Sequence, residues 1–98
     1  MTDRESLELA AKAAGYEYAN HGGYIVVDGI PGNWSPLTDD GDALRLAVKL
    51  EIDLWFGCGG LSAHGLAMDI EEDYGRDRCA ATRRAIVRAA AEIGKAMP

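Results

Sequence analysis

Histidine and cysteine residues beside glycines are the groups in this chain best suited to acid–base or thiol chemistry. His21, Cys58 and His64 lie in His21-Gly22-Gly23, Gly57-Cys58-Gly59-Gly60 and His64-Gly65. A histidine can act as a general base or metal ligand, and a glycine-flanked thiol can be exposed and reactive. One hypothesis is therefore a small-ligand or nucleotide site, or an active site, at these three residues. The alternative is that all three are solvated loop residues.

Recognised catalytic and metal-binding motifs are absent from the sequence. There is no HxH, CxxC, HExxH, GxSxG or GxxxxGK[ST] pattern, and a catalytic zinc site needs three protein ligands at workable spacing. Asp39, Asp40 and Asp42 fall short of a calcium loop, because Ala43 and Leu44 stand where further ligands are needed. We therefore predict no catalytic residues, no metal and no cofactor, and we expect these aspartates to cap a helix.

Aromatic and acidic residues around the predicted strands form a candidate binding surface. Trp55 is opposite in phase to Leu54 and Phe56, which places its side chain on the uncovered face of a sheet. An open antiparallel face that carries aromatic residues is a plausible protein-binding surface. Its predicted members are Tyr18, Tyr24, Trp55, Cys58, His64, Glu71, Glu72 and Asp73. The alternative is that Trp55 covers a sheet edge or a dimer contact, and that the acidic run is solvated.

Arginines are concentrated near the C-terminus. Arg84, Arg88 and Glu92 follow one another at four-residue steps, which predicts pairing within one helix. Cys79 lies on the apolar stripe of the same helix, so we expect it in the core.

Helix and turn patterns divide the chain into five segments. A capping-box pattern at Thr2 and Glu5 begins a helix that ends before Gly15. A hairpin follows, with a turn at residues 20–23, and its second strand ends at residues 29–33. A second helix runs from about Asp42 to Leu50. A second hairpin spans residues 52–70 with a glycine-rich tip from Gly57 to Gly65. A final helix covers about 77–97.

This order predicts one α+β domain over residues 1–98. The two hairpins can form one antiparallel sheet of about four strands, with the helices covering one face, in the order α-β-β-α-β-β-α. Such a two-layer domain is large enough for a single core.

Composition narrows the classes of partner. The 98-residue chain is 48% hydrophobic and has a formal net charge of −6. An acidic chain repels phosphate backbones, so direct nucleic-acid binding is disfavoured, and a partner with a basic surface is favoured. Two cysteines and no signal-like or membrane-spanning apolar run predict a cytoplasmic protein without membrane association.

The segment from Trp34 to Val48, Trp-Ser-Pro-Leu-Thr-Asp-Asp-Gly-Asp-Ala-Leu-Arg-Leu-Ala-Val, resembles small accessory proteins of bacteriophages and prophages. Residues 80–91, Ala-Ala-Thr-Arg-Arg-Ala-Ile-Val-Arg-Ala-Ala-Ala, carry the same resemblance. The chain looks related to the NinX type, a family that brings no established catalytic residues. The resemblance implies a phage gene product that acts in the host bacterial cytoplasm.

Three functional hypotheses follow from these observations. The first is a non-catalytic protein that binds a host or phage protein, with inhibition of a bacterial defence system as one form of that role. The second is the ligand site or active site at His21, Cys58 and His64. The third is a homodimer joined through a sheet face or edge.

Overall fold

The computed structural model describes residues 2–19, 24–27, 30–65 and 68–98. In that part of the chain, three helices and six strands follow one another as α1 (Asp3–Ala14), β1 (Glu17–Ala19), β2 (Tyr24–Val27), β3 (Ile30–Asn33), α2 (Asp40–Lys49), β4 (Asp53–Phe56), β5 (Gly60–Gly65), β6 (Met68–Asp73) and α3 (Arg78–Ala96). The strands form two antiparallel sheets, with strand orders β1-β2-β3 and β4-β5-β6. The α+β class is confirmed. The prediction of a single sheet of about four strands is wrong.

Strand β3 occupies the segment that was predicted to break the first hairpin. Its register with β2 pairs Val26 with Pro31 and Tyr24 with Asn33. Proline cannot donate to a strand ladder, so it is tolerated mainly on edge strands, and β3 is an edge strand of its sheet. The turn-forming residue types at 31–33 therefore concealed a strand.

Strand β5 occupies most of the predicted glycine-rich tip, which is the second correction. Leu61 and Ala63 alternate in β5 and are buried, and only Gly57, Cys58 and Gly59 remain between β4 and β5. A Cβ atom on Gly60 would overlap the backbone carbonyl oxygen of Glu72. Glycine at position 60 thus lets β6 approach closely and does not indicate a loose loop.

Local capping signals set the helix ends. The Thr2 side chain accepts a hydrogen bond from the Glu5 N–H, and Gly15 has the left-handed conformation with φ 78°. The Asp39 side chain accepts a hydrogen bond from the Asp42 N–H at the start of α2. The predicted capping role of the acidic run is confirmed at Asp39.

Helix α3 lies at the centre of the domain and contacts α1, α2, β5 and β6. Its buried residues are mostly small and surround much of the helix: Ala81, Ala85, Ile86, Val87, Ala89, Ala90, Ala91 and Gly94. A Cβ atom on Gly94 would overlap the backbone of Leu9, so α1 and α3 pack at close range. None of the helices in the described ranges has the length and apolar character needed to cross a membrane.

The apolar stripe of α2 is only half covered. Leu46 and Ala47 are buried, whereas Leu44 and Val48 are 59% and 69% exposed. Cys79 at the start of α3 is also exposed, so its predicted core position is wrong. Leu44 and Cys79 line an open groove between α2 and α3.

Candidate binding surface

Strict alternation gives the β4-β5-β6 sheet two chemically different faces. One face packs toward α3 and carries Leu61 and Ala63, which are buried, and Ile70, which packs against the core. The other is the open face, defined by the cross-strand registers. Its side chains are Asp53, Trp55, Ser62, His64, Asp69, Glu71 and Asp73.

Trp55 is the main apolar feature of the open face. Its side chain is 68% exposed. Ser62 lies opposite it on β5, and its ring meets the His64 ring edge-on, with centroids 5.8 Å apart and an interplanar angle of 75°. The histidine therefore supports one side of the indole while the rest of the ring remains available for contact.

His64 and Asp69 form the shortest side-chain contact on the open face. The distance from His64 Nδ1 to the Asp69 carboxylate is 2.6 Å. An ionised carboxylate only accepts hydrogen bonds, so Nδ1 donates and the ring orientation is fixed. Ser62 lies on the same face, but no hydrogen bond joins it to His64. The arrangement therefore orients the histidine without forming a nucleophile–base pair.

Carboxylates surround Trp55 on the described strands of this sheet. Asp53, Asp69, Glu71 and Asp73 project from the open face, which carries no lysine or arginine. A shallow depression of about 340 Å³ runs between Trp55, Ser62, Glu71 and Asp73. An exposed indole beside carboxylates is a favourable setting for a lysine or arginine side chain, through cation–π and charge attraction.

Glu72 belongs to the opposite face, although it lies between Glu71 and Asp73 in sequence. Its carboxylate accepts from Arg84 Nε at 3.2 Å and also pairs with Arg88. The predicted pairing of these arginines with Glu92 is therefore wrong, because β6 brings a carboxylate within their reach. The acidic run divides into two outward carboxylates and one that ties β6 to α3.

The other predicted surface residues lie elsewhere in the fold. Tyr18 packs edge-on against Trp34 with centroids 6.1 Å apart, and Tyr24 is exposed on the β1-β2-β3 sheet. Cys58 is exposed in the β4–β5 turn, whereas His64 is at the far end of β5. About 13 Å of strand separates Gly60 from His64, so these two members of the ligand hypothesis do not meet. His21 is outside the described residues.

Three open-face residues were missed by sequence reasoning: Asp53, Ser62 and Asp69. Their phase relative to Trp55 places them beside it once the β5 and β6 registers are known. Asp53 carried the usable signal, since it is two residues from Trp55 on the same strand. The other two required recognition of β5.

An apolar groove lies on the other side of β4, between α2 and α3. Its volume is about 550 Å³, and Leu44, Leu54, Phe56, Cys79, Thr82 and Ile86 line it. At one end Arg83 binds the Asp40 carboxylate and the Leu37 carbonyl. The hydrogen bond that Arg83 donates to the Asp40 carboxylate raises the pKa of the Arg83 guanidinium above its usual value. This pair holds the start of α2 against α3.

Among the described residues, no group of three or more histidine, cysteine, aspartate or glutamate side chains is placed to hold a metal ion. Comparison with known protein families, curated proteins and solved structures finds no match to this chain.

Proposed function

We propose that the protein is a non-catalytic binding protein that holds a basic segment of a partner protein on the open face. The observation that carries the proposal is Trp55, which is 68% exposed on a sheet face that also presents four carboxylates. An aromatic residue of this exposure is a frequent centre of binding energy in protein interfaces.

The chemistry of the face favours an arginine- or lysine-containing segment. A cation over the indole gains about 0.5–2 kcal/mol, depending on its desolvation. The surrounding carboxylates add charge complementarity, and the net charge of −6 accelerates the approach of a basic partner. The same charges repel nucleic-acid backbones.

The partner we propose is a host or phage protein in the bacterial cytoplasm. This part of the proposal depends on the sequence resemblance to phage accessory proteins. One partner of this kind is a component of a bacterial defence system that has an exposed basic segment. Binding of this protein to that segment would inhibit the component.

The test is a titration with an arginine-rich peptide of about ten residues, with an equally long neutral peptide as the reference. Trp34 is buried, so replacement of Trp34 by phenylalanine leaves Trp55 as the sole fluorescent indole. We expect the basic peptide to change the Trp55 emission and the neutral peptide to have no effect. Binding should weaken as salt rises, because the contact is partly ionic.

Two variants identify the face, and a third serves as control. Trp55→Ala and Glu71→Lys should each weaken binding of the basic peptide about tenfold or more, measured by calorimetry. Tyr24→Ala, on the other sheet, should leave it unchanged. Equal affinity in Trp55→Ala and the unmodified protein, or no binding of the basic peptide, would overturn the proposal.

A further inference from the structure

A second interaction surface lies along β4, at the edge of its sheet. Among the described residues, β4 pairs only with β5, so its other edge is free of a strand partner. Phe56 is 64% exposed and Leu44 is 59% exposed, and both line the groove beside this edge. Val48, one helical turn beyond Leu44, is also exposed. An exposed apolar edge strand is a template for pairing with another strand.

The hydrogen-bond pattern shows which groups of β4 point outward. The Gly57 N–H donates to the Gly60 carbonyl, so these opposed residues form a hydrogen-bonded pair. Such pairs alternate with non-hydrogen-bonded pairs along an antiparallel ladder. Asp53 and Trp55 therefore direct their backbone groups toward β5. Leu54 and Phe56 direct theirs toward the free edge.

We propose that β4 pairs antiparallel with β4 of a second copy of this chain, about a two-fold axis beside Trp55. In this register Leu54 of each copy faces Phe56 of the other, and all four outward N–H and C=O groups on each strand are paired. An axis beside Leu54 would instead require the Ile52 N–H, which already donates to the Ala47 carbonyl. A second copy fits the edge in this register, because each strand then satisfies the outward backbone groups of the other.

The exposed apolar side chains fit the same arrangement. Leu54 and Phe56 project from the same side of β4 and both line the groove. The pairing therefore places Phe56 of one copy, 64% exposed in the single chain, against Leu54 and the adjoining groove of the other.

The first measurement is molar mass by light scattering and sedimentation from about 1 µM to about 1 mM protein. We expect the mass to rise from the 10.5 kDa of one chain toward twice that value. Phe56→Glu should weaken the dimer at least about tenfold, because it places a charge in the edge contact. Tyr24→Glu, an exposed substitution on the other sheet, should leave the dimer unchanged. Circular dichroism checks that both variants are folded.

A cross-link tests the register. Cys58 and Cys79 are exposed, so both are first replaced by serine. Trp55→Cys then places two thiols at a non-hydrogen-bonded pair, where Cα atoms about 4.5 Å apart suit a disulfide of about 4.4–6.8 Å. Asp53→Cys, on the same face, is the matched control. Its two copies are offset by four residues, about 13 Å.

Rapid oxidation of Trp55→Cys to a covalent dimer, with no dimer from Asp53→Cys, would support the proposal. A monomer at all concentrations would overturn it, as would a dimer unaffected by Phe56→Glu. The dimer does not depend on the proposed basic partner. Glu71→Lys should weaken peptide binding about tenfold or more without changing the dimer, so the two proposals can fail separately.

Discussion

The two sheets have the same topology but pack against the core differently. Each is a three-stranded antiparallel meander that follows a helix, β1-β2-β3 after α1 and β4-β5-β6 after α2. The second sheet lies against α3 through an alternating buried face. Among the side chains described in the first sheet and beside it, Ile25 and Trp34 lie in the core, and Trp34 meets the rings of Tyr16 and Tyr18 edge-on.

This difference separates stability from binding in the second sheet. One of its faces is covered by α3, so the opposite face and the β4 edge are available for partners. In the first sheet, aromatic side chains are used to hold the sheet in place. The two tryptophans therefore have opposite environments: Trp34 is buried in the core and Trp55 is exposed on the open face.

The largest expected effect is the difference in stability between alanine variants of the two tryptophans. Trp34→Ala should lower the free energy of unfolding by about 3–5 kcal/mol, because it empties a buried aromatic site. Trp55→Ala should change it by less than about 0.5 kcal/mol. Urea denaturation of both variants measures the difference. Similar losses of unfolding free energy in the two variants would contradict the assignment of Trp34 to the core and Trp55 to an exposed face.

The next effect concerns a cross-strand pair in the second sheet. Leu61 and Phe56 face each other, but Leu61 is 3% exposed and Phe56 is 64% exposed. Leu61→Ala should cost about 2–5 kcal/mol because it leaves a cavity under α3. Phe56→Ala should cost well under half as much in the monomer. Denaturation at low protein concentration avoids any contribution from self-association.

A smaller loss is expected where α1 meets α3. Gly94→Ala adds a methyl group against the Leu9 backbone and should destabilise by about 1–3 kcal/mol, despite the better helix propensity of alanine. Gly59→Ala, with no neighbour within 4 Å, is the control. Thermal unfolding of the two variants is the measurement. An unchanged melting temperature for Gly94→Ala would mean that the helices can separate without cost.

The smallest effect separates the two faces of β6. Glu72→Gln removes the partner of Arg84 and Arg88 and should cost about 0.5–1 kcal/mol, since the arginines are half exposed. Glu71→Gln should leave stability unchanged and weaken binding of the basic peptide. The loss for Glu72→Gln should shrink in high salt. A larger stability loss for Glu71→Gln than for Glu72→Gln would reverse the assignment of faces.

Prediction from sequence succeeded for features governed by neighbouring residues. The three helices, the exposed position of Trp55 and the α+β class were all predicted. It failed where residue type and local pattern suggested a loop, as at Pro31 and at Gly60. Both positions are in strands because another strand lies beside them, and that neighbour cannot be inferred from either segment alone.

The sequence by itself determined where the helices begin and end. Thr2, Asp39 and Gly15 act through hydrogen bonds that span only a few residues, so their roles can be inferred without knowledge of the fold. The tertiary structure decided which carboxylates face outward, which apolar residues of α2 stay exposed and which edge of the second sheet is free. These properties depend on strand register and helix packing between residues distant in sequence. The pattern of residues within one segment does not identify the distant segment that packs against it.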